Sequence, residues 1–278
     1  MFHLKHYRST APGFADLLNY ATLIDSGVVL GKDGALLAGF LYDGYDAQTL
    51  SSAERETISA RFNAALARLG GGCATWTEAV RLPAPGYSDR ALSRFPDLVT
   101  AAIDEERRER FSAAGASFET QHALFIQYLP PRVESARLSK LMVVGQGGET
   151  VSYLDQHLTK FARILAEFED SFSGAVRALR RMETFRVGDP DRGPIVHQDE
   201  LVNVLQTFLT GDHEACVNLP PVPMYMDGWI AGVDLYPGSP PRLGDNYIRS
   251  VSLEGFPGAS YPGILDALDE LAVPYRWS

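Results

Sequence analysis

The sequence predicts an α+β fold, mainly antiparallel mixed sheets with packed helices, and three observations predict it. Short β-branched and aromatic runs are interspersed with amphipathic helical patterns; the first two runs are joined by an Asp-Gly hairpin turn, which is an antiparallel connection; and one long segment repeats apolar residues at helical spacing. With 278 residues, 45% of them hydrophobic and 22% charged, the chain can bury a full core as one large domain or as two ordinary ones, without staples.

The first element is a hairpin from Gly27 to Tyr42, whose Asp33-Gly34 supplies the positive backbone angles of a tight turn. Ser51 and Glu54 then form an S-x-x-E capping box, and Ile58, Phe62, Leu66 and Leu69 follow at helical spacing until Gly70-Gly71-Gly72 stops the run. Cys73 to Val80 reads as a strand around Trp76. Leu82 to Pro96, rich in proline and carrying Gly86, is a loop. A helix is predicted from Asp97 to Ala114, with Val99, Ile103 and Phe111 inward and the charged run Asp104 to Arg110 largely outward, where Asp104 with Arg108 and Glu106 with Arg110 sit four apart. Phe118 to Leu129 reads as a strand closed by Pro130-Pro131.

From Val151 the apolar residues Leu154, Leu158, Phe161, Leu165, Phe168 and Phe172 recur at alternating intervals of four and three. Such a seam fits an intramolecular core helix first and a partner helix second. Another helix runs from Asp199 to Leu209, and a Pro-rich passage follows at 219–223. Two strands are expected at Trp229 to Tyr236 and Tyr247 to Leu253, then a short helix from Tyr261 to Leu271 with Ile264, Leu268 and Leu271 inward, and a close on Pro274-Tyr275-Arg276-Trp277. Hairpin, helix and Trp strand thus occur in the same order at both ends, which predicts two related ββαβ units, within 1–131 and 183–278, around a helical insertion at 150–182.

Charge and motifs exclude more than they assign. Lys+Arg 25 against Asp+Glu 35 gives a net charge of −10, which disfavours a nucleic-acid clamp or an anionic-membrane binder. Cys73 and Cys216 belong to no metal or redox spacing and read as buried thiols of a reducing compartment; the N-terminus does not resemble a secretory leader, and no apolar stretch reaches membrane-spanning length. Val143 to Thr150 imitates a phosphate loop but places Glu149 where the lysine belongs. His3 and His6 lie near the terminus, and His213 with Cys216 lacks a second ligand pair. Glu167 with Asp170 fits a solvated helix face, and so does the basic cluster Arg177, Arg180, Arg181 and Arg186, although those arginines offer an acidic partner or a phosphate a contact. No catalytic, cofactor-binding or metal residue is assigned.

Several segments in order carry a resemblance: Gly27-Val28-Val29-Leu30 with Lys32-Asp33-Gly34, Pro83-Ala84-Pro85-Gly86-Tyr87 leading to Phe95-Pro96-Asp97, Asp104-Glu105-Glu106-Arg107 with Phe111, Phe118-Glu119-Thr120, Tyr128-Leu129-Pro130-Pro131, and Pro274-Tyr275-Arg276-Trp277. In these the chain resembles, over essentially its whole length, the N-terminal region of the TrbE/CagE family, the large ATPases of bacterial conjugation and type IV secretion. The resemblance implies an N-terminal docking domain spanning 1–278, preceding a RecA-like motor that would bind ATP and magnesium and that this sequence does not contain. It also implies hexameric assembly and a place at the cytoplasmic face of the bacterial inner membrane. The implied partners are inner-membrane components of the secretion channel and the motor itself, with no direct contact to nucleic acid. The alternative is a self-contained cytosolic enzyme with a site built from scattered residues such as His157, Glu167, His197 and Asp199.

Overall fold

The structure, a computed structural model, describes residues 14–46, 49–84, 86–113, 118–131, 148–189, 194–212, 216–222, 224–252, 255, 258–259, 261, 264, 266–271 and 274–278; residues 148–152, 266 and 269 are described by backbone alone. The chain divides into two compact units, Met1–Trp76 with Leu124–Gly258, and Thr77–Ala123 with Ala259–Ser278. The division falls inside two eleven-residue strands rather than after residue 131.

The larger unit is built on antiparallel pairs. Strand β1 (Tyr20–Asp25) pairs with β2 (Val28–Gly31), and β2 with β3 (Leu36–Asp43), in the sheet order β1-β2-β3-β5-β4 with β4 (Cys73–Pro83) and β5 (Phe118–Tyr128); β6 (Ala178–Arg181) pairs with the far half of β3. The expected hairpin closes as predicted: Gly34 has φ +82°, the Gly31 amide donates to the Ala35 carbonyl at 2.7 Å, and the Asp33 carboxylate accepts from the Ala35 amide at 3.0 Å. A short α1 (Phe14–Leu17) precedes β1.

One face of the sheet is covered by α2 (Ser52–Ala67) and α4 (Gly148–Phe172), since both carry an apolar stripe. The capping box is complete, the Ser51 amide donating to Glu54 at 2.8 Å and the Glu54 amide to Ser51 Oγ at 3.4 Å. Phe161, Leu165, Phe168 and Phe172 of α4 are buried with Phe40, Leu124 and Ile126, so the seam is an intramolecular core helix. Ring pairs Phe40–Phe168 at 5.7 Å, Phe62–Phe172 at 5.0 Å and Phe168–Phe172 at 4.9 Å add roughly 0.5–1.5 kcal/mol each beyond their burial. On the opposite face Phe125 stacks on Trp76 at 5.5 Å and meets Phe208 of α5 (Glu200–Thr210) at 5.7 Å. Strands β7 (Thr184–Val187) and β8 (Val196–Asp199) form a separate ribbon before α5.

Three expectations for the last third are corrected. Residues 229–236 are not one strand: 226–228 form a 3₁₀ turn with the Ile230 amide on the Met226 carbonyl at 2.8 Å, and only β9 (Leu235–Tyr236) is extended. Beyond β10 (Arg242–Leu243) and β11 (Asn246–Tyr247), Ile248 and Val251 are exposed, because this three-stranded sheet has strands of only two residues and no core of its own to extend over. The expected helix at 261–271 is a 3₁₀ segment, Asp266–Glu270, with Ile264 and Leu271 exposed; Pro262 lies outside the described residues.

In the smaller unit, the last strand β12 (Tyr275–Trp277) pairs antiparallel with β4 through Tyr275↔Arg81, Arg276↔Val80 and Trp277↔Ala79. The two Trp-bearing strands are therefore neighbours in one sheet, not equivalent strands of two, and the expected duplication does not hold. Arg276 binds the buried Glu78 with two bonds, Nε to Oε2 at 2.7 Å and a second guanidinium nitrogen to Oε1 at 2.9 Å, and the Arg81 guanidinium lies 4.7 Å over the Phe118 ring. Helix α3 (Leu98–Ala113) completes this unit.

Candidate protein interaction surface

Helix α3 is inverted relative to its amphipathic pattern. Asp97 caps it, one carboxylate oxygen accepting from the Val99 and Thr100 amides at 2.8 and 2.9 Å and the other from the Thr100 hydroxyl at 2.7 Å. The half-buried positions that follow are Ala101, Asp104, Glu105 and Arg108, at i, i+3, i+4 and i+7. This face is polar. The Tyr87 hydroxyl donates to Asp104 at 2.6 Å, Arg108 donates to Asp104 at 2.9 Å and to the Ser88 carbonyl, and the Arg108 guanidinium lies 4.8 Å over the Tyr87 ring. Tyr87 first, and Arg108 after it, hold the Asp104 carboxyl below its ordinary range against the opposing effect of burial. The same bond pushes the Tyr87 hydroxyl up.

With the polar stripe turned inward, the aliphatic residues face out. Leu98 is 88% exposed, Val99 70% and Ile103 46%, and Leu92 and Phe95 ahead of the helix are exposed too. The expectation that Val99, Ile103 and Phe111 turn inward is thus corrected for all three, and the physical reason is the loop 87–93, whose hydroxyl and carbonyl groups bind the carboxylate and guanidinium of the opposite stripe. A contiguous exposed aliphatic surface of this kind marks a place of contact. Beside it is a groove of about 400 Å³, with Phe95, Pro96, Leu98 and Ala101 among its lining. The signal was present in the sequence: a sixteen-residue helix with only four large apolar residues, Leu98, Val99, Ile103 and Phe111, has too few to line a core.

The scattered polar candidates do not converge. His157 is buried on α4, its Nδ1 3.5 Å from the Tyr128 hydroxyl, whereas Glu167 on the same helix is exposed beside Arg163. His197 is exposed on β8, and Asp199 is fully buried, accepting from the Gly27 amide at 2.9 Å, the Thr184 hydroxyl at 2.6 Å and the Val202 amide at 3.2 Å. Asp199 is a helix cap and a tie, fully occupied. Of the basic cluster, Arg177 meets Asp43 at 3.3 Å and Arg180 binds Glu200 with two 2.5 Å bonds, so these charges are neutralised within the chain. Cys73 is half-buried and Cys216 exposed, which corrects the reading of two buried thiols; Cys216 follows α5 in an irregular segment. His3, His6, His213 and most of Val143 to Thr150 lie outside the described residues. Among the described residues, no group of three or more His, Cys, Asp or Glu is placed to hold a metal ion, and no helix is long and apolar enough to cross a membrane.

Residues 27–136 match the family model described as type IV secretion system ATPase VirB4/TrbE, N-terminal domain. The chain is 37% identical over all its 278 residues to the conjugal transfer protein TrbE of Rhizobium radiobacter, of which it spans 34%. Sinorhizobium fredii carries a probable conjugal transfer protein TrbE as separate chains. Over 147 residues, 53% of the present chain, the identity to the first of them is 42%, and 99% of that protein is covered. To the second the identity is 34% over 118 residues, covering 17% of it.

Proposed function

Because the chain belongs to the VirB4/TrbE family of type IV secretion ATPases, as its N-terminal domain, we propose that it is the non-catalytic part through which such an ATPase assembles and docks on inner-membrane components of a conjugation channel. The single observation that carries this reading is the outward aliphatic face of α3, with Leu98 88% and Val99 70% exposed. A helix whose charged stripe is satisfied inward and whose aliphatic stripe meets water is stabilised by a partner that covers it. The whole protein hydrolyses ATP with magnesium in a motor outside this chain, works as a hexamer at the cytoplasmic face of the membrane, and powers channel assembly or substrate transfer. No residue of this chain is assigned to ATP or magnesium. The enzyme alternative has no geometry to support it, since His157, Glu167, His197 and Asp199 are dispersed and His157, Glu167 and Asp199 are engaged separately.

The test is co-sedimentation of the 278-residue chain with inside-out inner-membrane vesicles. Retention on vesicles from cells that carry the conjugation apparatus, and not on vesicles from cells that lack it, is the expected result. Equal retention on both, or on neither, contradicts docking. The purified chain is expected to hydrolyse no ATP, and turnover that survives rigorous purification overturns the non-catalytic assignment.

A further inference from the structure

Resting on the docking reading, we infer that the groove beside α3 takes a short peptide segment with a large apolar side chain flanked by lysine or arginine, such as occurs where the cytoplasmic end of a membrane-spanning helix meets the membrane surface. The floor supplies the first half of this chemistry. Phe95, Pro96, Leu98 and Ala101 offer an apolar surface in a space of about 400 Å³, enough for one or two large side chains.

The rim supplies the second half. Asp97, Asp104 and Glu105 stand there against Arg90, three carboxylates to one guanidinium. Glu105 is the one best placed to meet a cation. Its carboxylate lies 3.4 Å from Arg90 Nε and 3.6 Å from Arg108 Nε, long contacts that leave it acceptor capacity, whereas Asp97 is engaged with its own helix. An anionic ligand is disfavoured because the first amides of α3 already bind Asp97.

The same charges choose between partners. A bare anionic membrane would meet Asp104, Glu105, Glu106 and Glu109 on α3 against Arg107, Arg108 and Arg110 on a chain of net charge −10, so headgroups are repelled. The cytoplasmic flanks of membrane-spanning helices are instead enriched in lysine and arginine next to large apolar residues. They are complementary to the groove in both respects.

The experiment is a fluorescence titration of the 278-residue chain with two synthetic peptides, one with a Leu-Phe centre flanked by lysines and one with the same centre flanked by glutamates. The lysine peptide is expected to bind, the glutamate peptide to bind at least about tenfold more weakly, and the affinity of the first to fall as salt is raised. Leu98→Asp and Glu105→Gln weaken binding of the lysine peptide by about tenfold and about threefold respectively, while Arg90→Gln, which makes the rim more acidic, tightens it by about threefold. The gain in Arg90→Gln cannot come from misfolding. Equal binding of the two peptides, binding indifferent to all three variants, or tighter binding to protein-free phosphatidylglycerol vesicles than to the lysine peptide overturns the inference. Co-sedimentation separates the two proposals: wild-type chain and Leu98→Asp retained alike on apparatus-bearing vesicles leave docking in place and remove this groove from it, and wild-type chain not retained removes docking itself.

Discussion

Asp199 and Gly27 are 172 positions apart and determine each other's surroundings. The Asp199 carboxylate, with no exposed surface, caps α5 and holds the Gly27 amide and the Thr184 hydroxyl. Gly27 has φ +62°, and a Cβ there would lie 2.0 Å from the Met182 carbonyl oxygen, so no other residue fits. Asp199→Ala removes a cap and leaves two donors unmatched in a buried place; a loss of about 3 kcal/mol is expected in urea unfolding, and a loss under about 0.5 kcal/mol contradicts this role. A second residue-scale prediction concerns pH. The native Asp104 carboxyl titrates below its ordinary value, so its contribution is present in full above about pH 4 and is lost as pH falls through the lowered native value. Tyr87→Phe removes the chief cause, and the Asp104 midpoint, followed by carboxyl carbon resonance, rises toward the ordinary range; an unchanged midpoint contradicts the assignment.

At the scale of elements, α3 and α4 respond oppositely to substitution. Phe168 is buried among aromatic rings, and Phe168→Ala is expected to destabilise the chain by about 3–5 kcal/mol. Leu98→Asp on α3 is expected to change stability by no more than about 0.5 kcal/mol, because the side chain is already in water. Chemical unfolding checks both, and a large loss for Leu98→Asp means that its face is covered within the chain. The difference in how well the sequence foretells these helices has the same origin. The α4 seam runs through six positions at regular intervals, and core burial is what such a seam is for. In α3 the direction of burial is set by Tyr87, eleven residues before the helix, whose bond to Asp104 no periodicity reveals. The strands β1, β6, β7 and β8 carry little signal because they are four to six residues long, and β6 coincides with arginines that read as a basic cluster. The capping box of α2 and the Asp33-Gly34 turn are legible because local bonds decide them.

For the whole molecule, the fold class is readable from the antiparallel hairpin and helical patterns, while the relation between the ends is not. Trp76 and Trp277 suggest a repeat, yet β12 adds directly to β4, a pairing nearly 200 residues apart in sequence that only tertiary structure displays. The chain spans about a third of the Rhizobium radiobacter relative, and docking and hydrolysis belong to different regions of the proposed ATPase. Leu98→Asp in the full-length protein is therefore expected to lower conjugative transfer at least about tenfold while ATP hydrolysis by the purified variant stays within about twofold of wild type; parallel loss of both contradicts that separation. The most direct measurement is in cells: a photo-reactive residue at Leu98 of the full-length protein, with one at exposed Tyr247 as the comparison. Cross-linking from position 98, and not from 247, to an inner-membrane protein of the conjugation apparatus is the predicted result; adducts from 247 with none from 98 would contradict the assignment of α3 as the docking surface.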